Sequence, residues 1–202
     1  MANTLAPFGF RHIGFLSGGA PDYQQQTRVI QSTYSTKIYF GDPVQKSSAA
    51  SPYIVQGVGG TAAAGTAIIQ GIFVGCKYTP SGGLGIPQWL PYWPGAASAD
   101  AEAYIIDAPD ALFLVQALQT AITSANVGEL FGFNTGTGST TGGGFSGATL
   151  DQATATTITT TLPFKMVSLY QGVGNGSDVT TNYNWVVVAF NNQIYKTLSG
   201  GV

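Results

Sequence analysis

Hydrophobic and polar residues alternate along much of the chain with a period close to two, which predicts β-strands rather than helices. Over residues 33–40, Tyr34, Ile38 and Phe40 alternate with Thr33, Ser35, Lys37 and Tyr39, and the run ends at Gly41-Asp42-Pro43. Alternation of this kind indicates a half-buried strand, and Gly-Asp-Pro is typical of a turn. We therefore predict a first strand over residues 33–40.

The same pattern predicts seven further strands, at residues 52–56, 68–78, 102–107, 112–117, 164–170, 184–190 and 193–197. In the longest, 68–78, the residues predicted to share one side are Ile68, Ile72, Val74, Cys76 and Tyr78. Gly71 and Gly75 lie on its other side and predict a bulge or a close backbone contact. A Thr-rich stretch, 154–161, is predicted to be an exposed extended strand, since β-branched Thr favours that conformation.

Turn residues separate these strands. Asp107-Ala108-Pro109-Asp110 predicts a tight corner, and Asn191-Asn192 suits a two-residue hairpin turn. Residues 117–124 are compatible with a short helix that has no convincing cap. Residues 133–148 are dominated by Gly, Thr and Ser, which predicts a flexible, exposed loop.

About eight strands with few helices predict an all-β domain, closed as a β-sandwich or a barrel. We assign this domain to residues 29–202. Residues 1–28 differ, because Phe8, Phe10 and Phe15 lie among closely spaced glycines and prolines. Such a segment is predicted to be an extended, irregular N-terminal arm that docks on a partner. The alternative is that it folds back onto its own core.

Charged residues make up only 8% of the chain, against roughly 25% in a typical soluble domain. A surface so poor in charge suggests that partners cover much of it. The alternative is a secreted module with a surface of Thr, Ser, Asn and Gln. The seven Lys and Arg residues are scattered singly, so no basic stripe for nucleic acid is expected.

Residues suited to catalysis or metal binding are scarce. His12 is the only histidine and Cys76 the only cysteine, so neither a nucleophile–base pair nor a zinc site is expected. The Gly-rich stretches match no phosphate-binding pattern, and we expect no cofactor. No secretory signal is expected at the N-terminus, and no apolar run is long enough for a membrane helix.

Two groups of residues remain as candidate sites. The carboxylates are Asp100, Glu102, Asp107 and Asp110. They have the chemistry for glycoside hydrolysis or Ca²⁺ binding, although solvated strand ends explain them more simply. The aromatics Trp89, Tyr92 and Trp93, spaced by prolines, suit sugar stacking or a protein interface. They suit equally a cap over one end of the fold.

Four blocks of the sequence resemble virion structural proteins of tailed bacteriophages, in particular the capsid decoration, or cement, proteins. They are Ile38-Tyr39-Phe40-Gly41-Asp42-Pro43-Val44, Gly71-Ile72-Phe73-Val74-Gly75-Cys76-Lys77-Tyr78, Ala103-Tyr104-Ile105-Ile106-Asp107-Ala108-Pro109 and Val186-Val187-Val188-Ala189-Phe190-Asn191-Asn192. The blocks span roughly residues 33–195. Each block is short, and its residues are of the kind that specify a fold rather than a functional site.

The resemblance implies a jelly-roll-like β-sandwich that binds the outside of a phage capsid and stabilises joints between major capsid proteins. It implies a dimer or trimer made in the host cytoplasm and then located on the capsid exterior. It carries no catalytic motif, so we expect a structural protein without enzymatic activity, direct nucleic-acid binding or membrane contact. Phe8, Phe10 and Phe15 are the expected capsid-binding residues. The main alternative is a virion-surface carbohydrate-binding or host-attachment module that uses Trp89, Tyr92 and Trp93.

Overall fold

The computed structural model of the chain describes residues 2–22, 24–48, 51–59, 68–118, 121–141, 143–157 and 161–196. Within these residues the fold is all-β, and its helical structure is one 3₁₀ turn at Ser124–Asn126. The strands, in chain order, are β1 (Arg11–Phe15), β2 (Gln26–Ile30), β3 (Ile38–Tyr39), β4 (Pro43–Lys46), β5 (Ile54–Gln56), β6 (Ile69–Tyr78), β7 (Gln88–Leu90), β8 (Tyr92–Trp93), β9 (Ala101–Ile106), β10 (Ala111–Gln116), β11 (Leu130–Asn134), β12 (Thr149–Thr156), β13 (Phe164–Leu169) and β14 (Trp185–Phe190).

Two antiparallel sheets contain most of these strands. The first sheet has the order β1-β10-β14-β13-β11-β12. The second has the order β2-β9-β6-β4-β5, with β7 also paired to β6, and β3 and β8 form a separate two-stranded ribbon. The predicted all-β, sandwich-like fold is thereby confirmed. The jelly-roll arrangement stays a prediction.

The centre of the second sheet is buried on both of its faces. Its Ile69, Ile72 and Ile106 join the phenylalanines of the first sheet in one hydrophobic core. Its Phe73 and Ile105 belong to a second core on the opposite side, which includes Trp93 of the ribbon and Ile38. Burial on both faces makes a strand nearly continuously apolar, which explains why β6 was the longest run in the sequence.

The bulge predicted in β6 is present, between Phe73 and Gly75 in the pairing with β9. It makes one prediction wrong, because Ile72 packs in the first core whereas Cys76 packs in the second. The extra residue of a bulge changes which face the following side chains occupy. The close contact predicted at Gly71 is also present, since a Cβ there would lie 2.6 Å from the carbonyl oxygen of Ile106.

The prediction of an extended N-terminal arm is wrong. β1 pairs with β10 in the first sheet and β2 pairs with β9 in the second, so the boundary predicted at residue 28 falls inside β2. Phe10 is 1% exposed and stacks on Phe164 at a centroid distance of 4.3 Å. The segment therefore folds onto its own core, the alternative that the sequence left open.

Two local predictions also need correction, and a third is confirmed. The Asn191-Asn192 pair makes no hairpin: both side-chain amides donate to carbonyls of the 161–162 segment, and Gln193 forms an isolated bridge to Ile69. The strand predicted at 33–40 is reduced to Ile38–Tyr39, since a turn precedes it. The predicted corner at residues 107–110 is confirmed, with the amide of Ala111 donating to the carbonyl of Ala108.

The Gly/Thr-rich loop is exposed in part only. Its residues 133–134 belong to β11, and its end is held against the turn that precedes β4. Ser146 is buried, its backbone amide donates to the carbonyl of Phe40, and its hydroxyl donates to the carboxylate of Asp42. The prediction of an exposed loop is therefore wrong for Gly144 and for residues 146–148, which are buried, whereas Phe145 is 46% exposed as predicted.

Candidate interaction surface

The four candidate carboxylates do not form one site. Asp107 makes an ion pair with Arg28 at 2.7 Å, and Asp100 accepts hydrogen bonds from the amide of Ser32 and the hydroxyl of Tyr53. The donors lower the pKa of Asp100, whereas burial raises that of Asp107 despite the neighbouring guanidinium. No group of three or more His, Cys, Asp or Glu residues suited to a metal ion occurs among the described residues.

The single histidine and the single cysteine both lie in packed surroundings. Burial raises the pKa of the Cys76 thiol to about 12, so the reactive thiolate is not populated at neutral pH. Burial also lowers the pKa of His12, whose Nε2–H donates to the carbonyl of Gly14. Both residues thus contribute to the interior of the fold.

The three candidate phenylalanines near the N-terminus are mainly packed inside the protein. Phe10 is in the first core, and Phe15 packs partly against that core and against the ring of His12. Phe8 is half-buried with its ring 4.9 Å from that of Trp185. Their assignment as the capsid-binding residues has no support in this arrangement, because their apolar area already contacts the same chain.

The aromatic cluster is divided between two environments. Trp93 is fully buried in the second core and donates its indole N–H to the carbonyl of Tyr34 at 2.9 Å. Tyr92 is half-buried and stacks on Tyr39. Trp89 is 57% exposed. Three aromatics that are neighbours in sequence therefore do not form one stacking platform, and Trp93 is excluded from any surface site.

A group of exposed apolar residues lies on the hairpin that connects β6 to β7. We define the apolar hairpin as residues 79–90. Leu84 is 93% exposed, Ile86 is 60% exposed, and Trp89 is at its base on β7. The neighbouring sequence has no charge, since no Asp, Glu, Lys or Arg occurs between Lys77 and Asp100. Exposed apolar side chains without nearby charge are typical of interaction sites.

Glycine residues fix the shape of the apolar hairpin. Gly82 and Gly85 have φ values of 76° and 72°, and no neighbouring atom surrounds either position. These backbone conformations favour glycine. At the base, the ring of Trp89 lies over Gly75, where an added Cβ would be only 2.8 Å from Cζ2. The sheet thus supports one side of the indole and leaves the rest accessible.

Sequence reasoning identified Trp89 but missed Leu84 and Ile86. The signal was present in Gly-Gly-Leu-Gly-Ile-Pro at residues 82–87. Two large aliphatic residues spaced by glycines cannot belong to a regular strand, yet they are apolar where a turn is usually polar. Leucine or isoleucine in a glycine-rich turn therefore indicates a candidate surface contact.

Comparisons with protein-family models, with curated proteins and with solved structures find no match for this chain. In the described part of the chain, no helix has the length and hydropathy needed to span a membrane.

Proposed function

We propose that this chain is a structural virion protein that binds the outside of a phage capsid and stabilises joints between major capsid proteins. The observation that carries the proposal is the apolar hairpin, with Leu84 93% exposed beside Ile86 and Trp89. The resemblance to decoration proteins supplies the identity of the partner. The proposed role is structural, not enzymatic, and involves the major capsid protein and further copies of this chain as a dimer or trimer.

The proposed mechanism is mechanical. DNA packed inside a head pushes neighbouring capsid subunits apart, and a protein bound across their joint increases the free energy needed to separate them. Burying Leu84, Ile86 and Trp89 contributes roughly 1.5–3 kcal/mol for each fully covered side chain. Because a stable interface buries about 1,200–2,000 Å², further surface beyond the apolar hairpin must join the contact.

Binding to head shells that lack this protein tests the proposal. Wild-type protein is expected to pellet with the shells and to raise their melting temperature. The double variant Leu84→Ser with Ile86→Ser is expected to remain in the supernatant, because the shell contact loses its two most exposed aliphatic residues. Wild-type protein that neither pellets with the shells nor changes their melting would contradict the proposed function.

Val173 provides a matched control for the apolar hairpin. It is 98% exposed and lies in a different loop, after β13. Val173→Ser removes a similarly exposed aliphatic side chain and is expected to pellet as well as wild type. Equal losses from Val173→Ser and the double variant would show that the effect is general surface hydrophobicity and would contradict the assignment of the site.

A carbohydrate-binding or host-attachment role is the second candidate, and the exposed indole of Trp89 is the observation that favours it. Trp89→Leu separates the two functions. Leucine retains an apolar contact for a protein surface but lacks the flat ring that stacks on a sugar. Loss of glycan binding with normal shell binding would support a carbohydrate site at Trp89, and unchanged glycan binding would contradict one.

A further inference from the structure

The guanidinium group of Arg11, at the first residue of β1, lies against two aromatic rings. Its Cζ is 4.4 Å from the ring centroid of Phe40 and 4.3 Å from that of Phe145. Phe40 precedes the Gly41-Asp42 turn, and Phe145 belongs to the Gly/Thr-rich loop. Cation–π contacts of this length position and stabilise the cation. The rings provide no carboxylate, so the positive charge is not neutralised.

Arg11 has no anionic partner in the part of the chain that the structure describes. No ion pair and no hydrogen bond joins its side chain to a described residue, in contrast to Arg28, which pairs with Asp107. Burial lowers the pKa of Arg11 to about 10, with no acidic neighbour to offset it. The group is still a cation at neutral pH, with its N–H donors available to a ligand.

Arg11 lines a cavity of about 220 Å³ between the edge strand β1 and the second sheet. The opposite wall consists of apolar residues of β6, among them Ile72 and Val74. The other titratable group in the lining is His12, whose pKa is lowered by burial, so that it is neutral at pH 7. The lining therefore contains one cationic residue among mainly apolar ones.

The volume of the cavity limits the size of the ligand. A cavity of roughly 150 Å³ holds a benzene molecule, so about 220 Å³ accepts a benzene ring or a branched alkyl group that carries one further polar group. The guanidinium of Arg11 selects that group, because its planar fork matches a carboxylate through paired N–H···O bonds. A primary amine of the same size is disfavoured by charge repulsion.

We propose that this cavity binds a monocarboxylate with a small aromatic or branched aliphatic body, held by Arg11 and bordered by Phe40. The carboxylate source is a free acid or the carboxyl end of a peptide, which have the same chemistry. The site is separate from the apolar hairpin and does not depend on the proposed capsid function. It gives the Gly/Thr-rich loop a role, because that loop supplies Phe145, whose ring contacts the guanidinium of Arg11.

Benzoate and its uncharged analogue benzamide test the site directly. Benzoate at pH 7 is expected to raise the melting temperature of the purified protein and to shift the NMR signals of Arg11 and Val74. Benzamide has the same ring without the charge, and it is expected to do neither. Equal effects of benzoate and benzamide, or no effect of benzoate, would overturn the proposal.

Arg11→Met is expected to weaken benzoate binding by roughly tenfold or more, since a hydrogen-bonded charge pair is lost. Lys77→Met is the matched control: it removes an exposed cation outside the cavity and is expected to leave the affinity unchanged. Val74→Phe keeps Arg11 and fills the cavity, so it is expected to abolish binding. Benzoate affinity that is unaffected in both Arg11→Met and Val74→Phe would overturn the site.

The peptide Gly-Gly-Phe and its C-terminal amide distinguish the two sources. Tighter binding of the free-acid peptide than of benzoate supports a carboxylate carried by a polypeptide. Binding of benzoate without binding of the peptide supports a free acid. Binding of neither compound to wild-type protein overturns the proposal.

Discussion

The segment around β1 and the apolar hairpin have similar compositions, but a large apolar residue is buried in the first and exposed in the second. Both combine large apolar residues with closely spaced glycines and prolines. Phe10 is 1% exposed, whereas Leu84 is 93% exposed. Apolar content and turn residues therefore do not determine whether a segment is buried. What differs is the number of backbone partners that each segment finds elsewhere in the chain.

Distant backbone partners hold the β1 segment in place. β1 pairs with β10 over the register Arg11↔Leu114 to Phe15↔Ala111, and the amide of Phe10 donates to the carbonyl of Gly41. The apolar hairpin pairs with β6 only through Gln88–Leu90, and the residues before β7 project beyond the sheet. Its apolar side chains remain available to another molecule.

Phe10→Ala tests the burial of the β1 segment and should have the largest effect on the free energy of unfolding. Truncating a fully buried phenylalanine removes its stacking on Phe164 and leaves a cavity, which costs about 3–5 kcal/mol. Leu84→Ala should change the free energy of unfolding by less than about 0.5 kcal/mol, because its side chain is in solvent. Urea denaturation of both variants measures the difference. Equal losses in the two variants would contradict the contrast between the segments.

Asp42 joins the second sheet to the Gly/Thr-rich loop through its buried carboxylate, which should make the stability of the fold dependent on pH. The carboxylate is buried and accepts hydrogen bonds from Ser146, the amide of Tyr39 and the side chain of Gln56. Burial raises its pKa from 3.8 to about 6 despite these donors. The folded state therefore binds this proton more tightly than the unfolded state does.

The contribution of Asp42 to stability is fully present below about pH 4 and is lost as the pH rises through about 6. The expected loss is about 3 kcal/mol, at 1.36 kcal/mol for each pH unit between the two pKa values. Asp42→Asn has no proton to release here. The stability of wild type relative to Asp42→Asn should therefore fall by most of that amount between pH 4 and pH 7. Urea denaturation at both pH values measures it, and a constant difference would contradict a raised pKa.

Trp93 and Trp89 provide the same contrast within four residues of sequence, with a smaller expected effect. Trp93→Phe removes the indole N–H that bonds to the carbonyl of Tyr34 and reduces the buried volume. It should lower the free energy of unfolding by about 2 kcal/mol. Trp89→Phe should change it by less than about 0.5 kcal/mol, since Trp89 is 57% exposed. Thermal or urea unfolding of the pair checks this, and similar losses would contradict the division of the cluster.

The strands that the sequence predicted well are those in which burial imposes a long apolar pattern. β6, β9, β10, β13 and β14 lie at the predicted positions to within one or two residues. β1 and β2 were missed because their sequences, RHIGF and QTRVI, mix polar and apolar residues at the edges of sheets. Their strand conformation depends on pairing with β10 and β9, which no local pattern reveals.

The environments of the candidate site residues also depend on tertiary contacts, as the strand conformations of β1 and β2 do. Trp89 and Trp93 appear equivalent in sequence, but β7 pairs with β6 and β8 pairs with β3, so Pro91 separates strands of two different sheets. The contact of Arg11 with Phe40 and Phe145 joins three distant segments. Hydrophobic periodicity predicts which residues share a face of a single strand. It contains no information about which strands become neighbours.

Hydrogen–deuterium exchange on free protein and on protein bound to phage head shells tests the contrast most directly. In free protein the amides of residues 11–15 should exchange slowly and those of residues 80–87 quickly. On shells, exchange in residues 80–87 should slow markedly while that of residues 11–15 stays the same. Fast exchange of residues 11–15 in free protein, or unchanged exchange of residues 80–87 on shells, would contradict the assignment of the apolar hairpin as the docking surface.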